Sequence, residues 1–274
     1  MRRILSIAAT EARIAARNRW VAIAISLMAL FSLVLAAAGS TPSGTLGADR
    51  LSIIVASLTS LAVYLVPLLA LLMSFDAVAG EVERGTLPLL LTYPVSRTEV
   101  LTGKLIAHLS ILAVALVCGY GLAAVAAIAS DTAALAGLPA LWRLTWTSLL
   151  LGATFLGAGY ALSALSRRPS GAAGLAIGLW LAAVVLYDLA LLAGIVASGD
   201  GVFARHVFPV ALIASPADAF RLYNLAASEA TAAAASGIAG AANSLPPLAA
   251  LASILLWPLA ALAAAVAVFR KVSP

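Results

Sequence analysis

The chain has 274 residues, 64% of them hydrophobic and 10% charged, with a mean hydropathy of +1.10. Soluble domains carry about a quarter charged residues, so the composition excludes a water-soluble fold and describes a polytopic membrane protein. The formal charge of +5 comes without the clustered basic groove and interleaved aromatics that nucleic acid requires, and reads as membrane topology instead. The single cysteine, Cys118, lies in an apolar run and excludes an intrachain disulfide or a cysteine-built zinc site.

Residues 2–19 have the spacing of an amphipathic helix. Arg3, Ser6, Thr10, Arg13 and Arg17 form one polar stripe, while Ile4, Ile7, Ala8 and Ile14 point toward lipid. Such a basic helix lies in the membrane interface. Glu11 and Asn18 fall on its other face, so that face meets protein as well as lipid. The first span follows over 20–38. Ala36-Ala37-Ala38 imitates a leader-peptide cleavage site, but the long leading region with its acid, and an apolar part longer than the usual ~7–15 residues, do not fit a cleaved leader.

Further spans are predicted over 51–75, where Pro67 introduces a kink, and over 105–130, 146–165, 171–197 and 248–269. Six spans put both termini on one side. With that side cytoplasmic, twelve arginines and lysines lie inside and only Arg50, Arg143, Arg205 and Arg221 outside. The loop 76–104 is then cytoplasmic and the segment 198–246 periplasmic. In the cytoplasmic loop, Ser96 and Glu99 have capping-box spacing and begin the helix that becomes the third span. Pro88 suits the first turn of a short helix over 87–92, which Pro94 ends. A leucine-rich helix exposed to the cytosol calls for a protein partner. In the outer segment, Ser215-Pro216-Ala217-Asp218 reads as N-cap, N1 proline and first-turn acid. The helix it starts carries Phe220, Leu222, Tyr223 and Leu225, with Arg221 and Asn224 between them, and suits the outer membrane interface. The alanine-rich 226–242 either extends it or begins a second short helix.

Residues able to carry chemistry are few. Gly103-Lys104 superficially resembles a phosphate loop, but Thr98 replaces the leading glycine and Leu105 the required Ser or Thr; ATP hydrolysis must come from another subunit. His108 and His206 fall on opposite sides of the membrane, and His108, one turn after Lys104, reads as interfacial. Met1, Met28, Met73 and Cys118 are too few and too scattered for a copper pathway. Asp188, beside Tyr187, is the acid well inside a span, either a functional charge or a hydrogen-bonded acid sealing a helix contact. Gly174 and Gly178 permit close helix approach.

The order Gly80-Glu81-x-Glu83-x-Gly85-Thr86-Leu87, then Leu89-Leu90-Leu91 and Pro94-Val95-Ser96-Arg97, resembles the coupling region of ABC-2 type permeases. The N-terminal helix ending Arg17-Asn18-Arg19-Trp20 resembles that family's elbow helix, and the six spans with a large outer loop extend the resemblance to the whole chain. Three strings, Ala56 to Leu61, Leu90 to Pro94 and Ser215 to Leu222, are similar to the branch of the family that helps mature the copper sites of nitrous oxide reductase. Pro88 within the leucine stretch and the alanine-rich outer loop depart from the pattern.

The resemblance implies an all-α polytopic fold with an elbow helix and a short coupling helix, placed in a bacterial inner membrane with both termini cytoplasmic. It implies a non-hydrolysing permease, paired with a second copy, two cytoplasmic ATPases and a periplasmic accessory protein. ATP and magnesium would sit on the ATPase, and no cofactor on this chain. ATPase coupling then falls to Glu81, Glu83, Arg84, Gly85, Thr86, Leu87, Pro94 and Arg97. Arg13, Arg17 and Arg19 belong to the elbow, Asp188 and Tyr187 to the intramembrane polar site, and Phe220, Arg221 and Tyr223 to the periplasmic contact. The competing readings are an ABC-2 exporter of a different small molecule and an ATP-independent carrier with Asp188 as its ion site. Such a carrier usually shows broken helices in matching halves, whereas the sequence offers the proline-kinked span 51–75 without a twin. An intramembrane enzyme lacks a catalytic constellation.

Overall fold

The structure, a computed structural model, describes residues 2–16, 19–38, 49–92, 94–166, 168–199, 201–225 and 247–272. All regular structure among them is helical. Helix α1 (Arg2–Ala16) precedes α2 (Arg19–Ala38) and α3 (Arg50–Ser74). Asp49 caps α3, its Oδ1 accepting the Ser52 amide at 2.9 Å. A turn leads to α4 (Ala79–Glu83) and, past Gly85, to α5 (Thr86–Thr92). Gly85 has φ 66°, the left-handed backbone that glycine adopts without a Cβ penalty. Helix α6 (Arg97–Ser130) starts behind the capping box its spacing predicts: Glu99 N donates to Ser96 Oγ at 3.2 Å, and Ser96 N to Glu99 Oε2 at 2.7 Å.

A 3-10 turn over Thr132–Gly137 leads into α7 (Leu138–Leu165), which begins well before the span expected from Trp146. Next come α8 (Pro169–Trp180), a π-wound turn (Leu181–Leu186) and α9 (Tyr187–Ser198), which together form one long helix. Helices α10 (Phe208–Ala214) and α11 (Pro216–Leu225) form a short hairpin, and α12 (Pro247–Phe269) ends the bundle.

Five helices among the described residues are long and apolar enough to cross a membrane: Arg50–Glu83, Arg97–Ser130, Thr132–Leu165, Pro169–Ser198 and Leu248–Phe269. The span expected at 20–38 corresponds to α2, whose apolar described stretch, Ile25–Ala37, is shorter. Pro67 lies inside α3 and Pro258 inside α12, the latter a second proline-bearing span that the sequence reading missed.

Helix α7 is central, packed against α3, α6 and α12. A Cβ on Gly159 would fall 1.9 Å from Ser74 Oγ, so the α3–α7 contact requires glycine. Ser163 Oγ accepts the Val78 and Ala79 amides, both at 2.9 Å, which satisfies backbone donors where α3 breaks. One end of the bundle, the loop end, carries α1, α4, α5 and the C-terminal residues. The far end carries the 3-10 turn and the start of α12.

Candidate functional site

At the loop end Lys104 is the organising side chain. It is 3% exposed, and its Nζ donates to Glu81 Oε1 at 2.7 Å and to Glu11 Oε1 at 2.5 Å. One ammonium therefore ties α1 and α4 to α6. Burying a cation among helices is costly unless carboxylates compensate it, and here two do. One turn on, His108 Nδ1 lies 2.7 Å from the Tyr160 hydroxyl, both residues buried and their rings stacked. Lys104 and His108 are thus inside the bundle rather than interfacial, because partners from α1, α4 and α7 surround them.

Helix α1 packs on α6 through Ile7 and Ala8, with Glu11 reaching Lys104, so the face expected to meet protein as well as lipid is seated against protein at these positions. A Cβ at Gly103 would come within 2.7 Å of Ile7 Cγ2. Ile14, 61% exposed, remains outward, as does Arg13. Arg17 and the Arg19 side chain lie outside the described residues.

The residues expected to couple to an ATPase divide into two groups. Glu83, Arg84, Gly85, Thr86 and Pro94 lie at the surface, with Leu89 65% exposed beside them. Arg84 pairs with Asp76 at 3.5 Å, both side chains well solvated. Glu81, Leu87 and Arg97 turn inward. Glu81 is engaged by Lys104, and Leu87 is fully buried. Arg97 Nη1 donates to the carbonyls of Phe269 and, at 2.7 Å, Val272, with its guanidinium 5.3 Å from the Phe269 ring centroid. It closes the end of α12, adding to the Val272 amide that the Phe269 carbonyl already accepts and serving the Val272 carbonyl just beyond the helix. Five of the eight residues are thus exposed, and three bond or pack within the chain.

At the other site, α11 packs into the bundle core, while α10 leads into it from a smaller cluster in which Phe208 and Leu212 meet Leu191 of α9. Trp257 Nε1 donates to the Ala214 carbonyl at 3.0 Å, and Ser253 Oγ to the Ile213 carbonyl at 2.6 Å. Trp257 lies ten residues into α12, and a rise of 1.5 Å per residue places the hairpin tip about 15 Å inside. Helix α11, expected as an interfacial helix at the outer leaflet, is instead packed into protein: Phe220 is fully buried, and Ala217, Ala219 and Leu222 pack in the core. The predicted start of α11 holds, with Asp218 N donating to Ser215 Oγ at 3.2 Å.

Around this tip the sequence-predicted polar residues meet. Arg221 Nη2 donates to Asp188 Oδ2 at 2.8 Å, and Nη1 to Asp218 Oδ1 at 3.3 Å. The Tyr64 hydroxyl of α3 donates to the same Asp188 oxygen at 3.2 Å. Tyr187 hydroxyl bonds the Ala211 carbonyl at 2.8 Å, and Tyr223 packs edge-on against Trp146. Asp188 is therefore the counter-charge of Arg221, which sequence reading assigned to a separate site. It missed Asp218 and Tyr64 as members. The first-turn position of Asp218, one turn before Arg221, was the available signal.

The helical bundle, the α1 elbow and the helix-turn-helix loop define a class, the membrane subunit of an ABC transporter. The chain belongs to the ABC-2 transporter family, whose model matches residues 5–273. It is 43% identical over 271 residues to the probable ABC transporter permease protein NosY of Pseudomonas aeruginosa, covering 98% of each chain. It is also 43% identical over 232 residues to the probable permease NosY of Stutzerimonas stutzeri, covering 84% of this chain and 83% of that one.

Proposed function

We propose that this permease couples ATP hydrolysis by a separate cytoplasmic ATPase to transport, or to mechanical transmission, across a bacterial inner membrane in support of copper-site assembly of nitrous oxide reductase. The observation that carries the reading is the end-to-end similarity to permeases named NosY. In this reading two copies of the chain assemble with two ATPases and a periplasmic accessory protein. Nucleotide and magnesium belong to the ATPases, and this chain does no hydrolysis. The exposed turn Glu83–Thr86, with Leu89 beside it, is the docking surface, and the buried Glu81–Lys104–Glu11 node passes its movement to α1 and α6. An exposed apolar residue rimmed by charges suits a protein contact.

Met28, Met73 and Cys118 lie on α2, α3 and α6 with Met28 buried and Cys118 exposed, an arrangement that favours mechanical transmission over copper passage between the helices. The test reverses the surface charges alone, Glu83→Lys with Arg84→Glu, in the full complex. The folded permease should remain in the membrane while ATPase co-purification, or stimulation of its hydrolysis, falls at least several-fold. Full assembly together with undiminished reductase maturation would refute docking at this turn.

A further inference from the structure

The Tyr64–Asp188–Asp218–Arg221 cluster has one acid more than it has cations. Asp188 takes the short bond from Arg221 and a second from Tyr64. Asp218 receives the longer 3.3 Å contact through Oδ1. Its residue is 2% exposed, and its Oδ2 is buried without a hydrogen-bond partner. A buried carboxylate with an orphan oxygen is expensive, and such a group takes up a proton rather than stay charged.

An Asp218 carboxylate gains some support from Ser215 and from its first-turn position at the α11 N-terminus, but among the described residues no second cation pairs with it. Packed against α11, α3 contributes Tyr64 and α9 contributes Asp188, with Tyr187 also near. Helix α7 contributes Thr147, bonded to Asn224, and Arg143, which lies by Tyr223. Helices α10 and α12 carry no titratable side chain over Phe208–Ala214 and Pro247–Phe269. The Arg221 guanidinium touches both acids and so holds the Asp188 and Asp218 carboxyls close together, where like charge disfavours ionising both. A metal ion is disfavoured there by the guanidinium that already touches both acids.

We propose that this cluster is a proton-binding site, with the proton on Asp218 and Asp188–Arg221 as the ion pair that fastens the re-entrant hairpin to the long helix α8–α9. Losing the proton would set two carboxylates against one guanidinium and loosen the hairpin. The proton therefore acts as a ligand of the latch, independently of whether ATPase docking occurs at the loop end.

Infrared difference spectra of the full chain in lipid nanodiscs, taken as pH is stepped from mildly acid to mildly alkaline, test the site. A protonated-carboxyl C=O band should be present at neutral pH in the unaltered protein and missing in Asp218→Asn. Asparagine mimics the neutral acid, so Asp218→Asn should unfold within a degree or two of the parent, whereas Asp188→Asn, which strips Arg221 of its closest partner, should unfold several degrees lower. The absence of the band at neutral pH, its survival in Asp218→Asn, or an Asp218→Asn loss as large as that of Asp188→Asn would overturn the assignment.

Discussion

Lys104 shows how a residue's role depends on who reaches it. In the sequence it is a cation near a membrane boundary; in the fold it is 3% exposed between Glu11 and Glu81. Replacing one member of a buried charged set leaves the others uncompensated, at about 3–5 kcal/mol. The two glutamates keep 19% and 14% exposure, so Lys104→Met should cost toward the lower end, about 3 kcal/mol, by thermal unfolding of the purified chain. Neutralising all three together, Glu11→Gln, Glu81→Gln and Lys104→Met, should recover much of the loss. A single-variant loss too small to measure would mean that the node holds nothing. Arg97 follows the same logic: spacing placed it beside the capping box, but only the fold supplies the Phe269 and Val272 carbonyls it serves. These inward roles were not legible because the partners are 93, 23 and 175 positions away.

Elements were more legible than contacts. The start of α6 at Ser96–Glu99 and of α11 at Ser215–Asp218 follow from local capping chemistry, which needs only neighbouring residues. What α11 packs against is not local. Its mixed pattern of Phe220, Leu222 and Tyr223 with Arg221 and Asn224 reads equally as a surface helix or as one buried beside polar partners. Asp188 for Arg221 and Thr147 for Asn224 decide for burial. At the central α3–α7 contact, Gly159→Ala sets a methyl group against Ser74 Oγ and should destabilise by about 1–3 kcal/mol. Ser74→Ala removes that oxygen, so the double variant should lose less than the sum of the single changes. Strict additivity in thermal unfolding would show that the helices separate freely and that this contact is not a constraint.

The whole molecule presents two predictions tied to the proposed assembly. With the loop end cytoplasmic, a cysteine replacing exposed Ala133 in the 3-10 turn should react with a membrane-impermeant reagent added from the periplasm, and one replacing exposed Ser170 should not. Labelling of Ser170→Cys from outside would reverse the orientation. Gly174 and Gly178, which have no neighbour within 4 Å of an added Cβ in the chain, lie beside exposed Leu175 and Ile177. Small residues let transmembrane backbones approach closely, so Gly178→Cys should form a cross-link between two copies, and lack of any cross-linked dimer would place the second copy elsewhere. The sequence by itself determined the helical membrane class, the caps and the family, because hydropathy, capping and motif order are properties of adjacent residues. The tertiary structure alone decided which charges face water and which close the bundle. In a low-dielectric interior a charge is tolerated only where an opposite group arrives through space, and for Lys104, Arg97 and Arg221 that group comes from a distant helix.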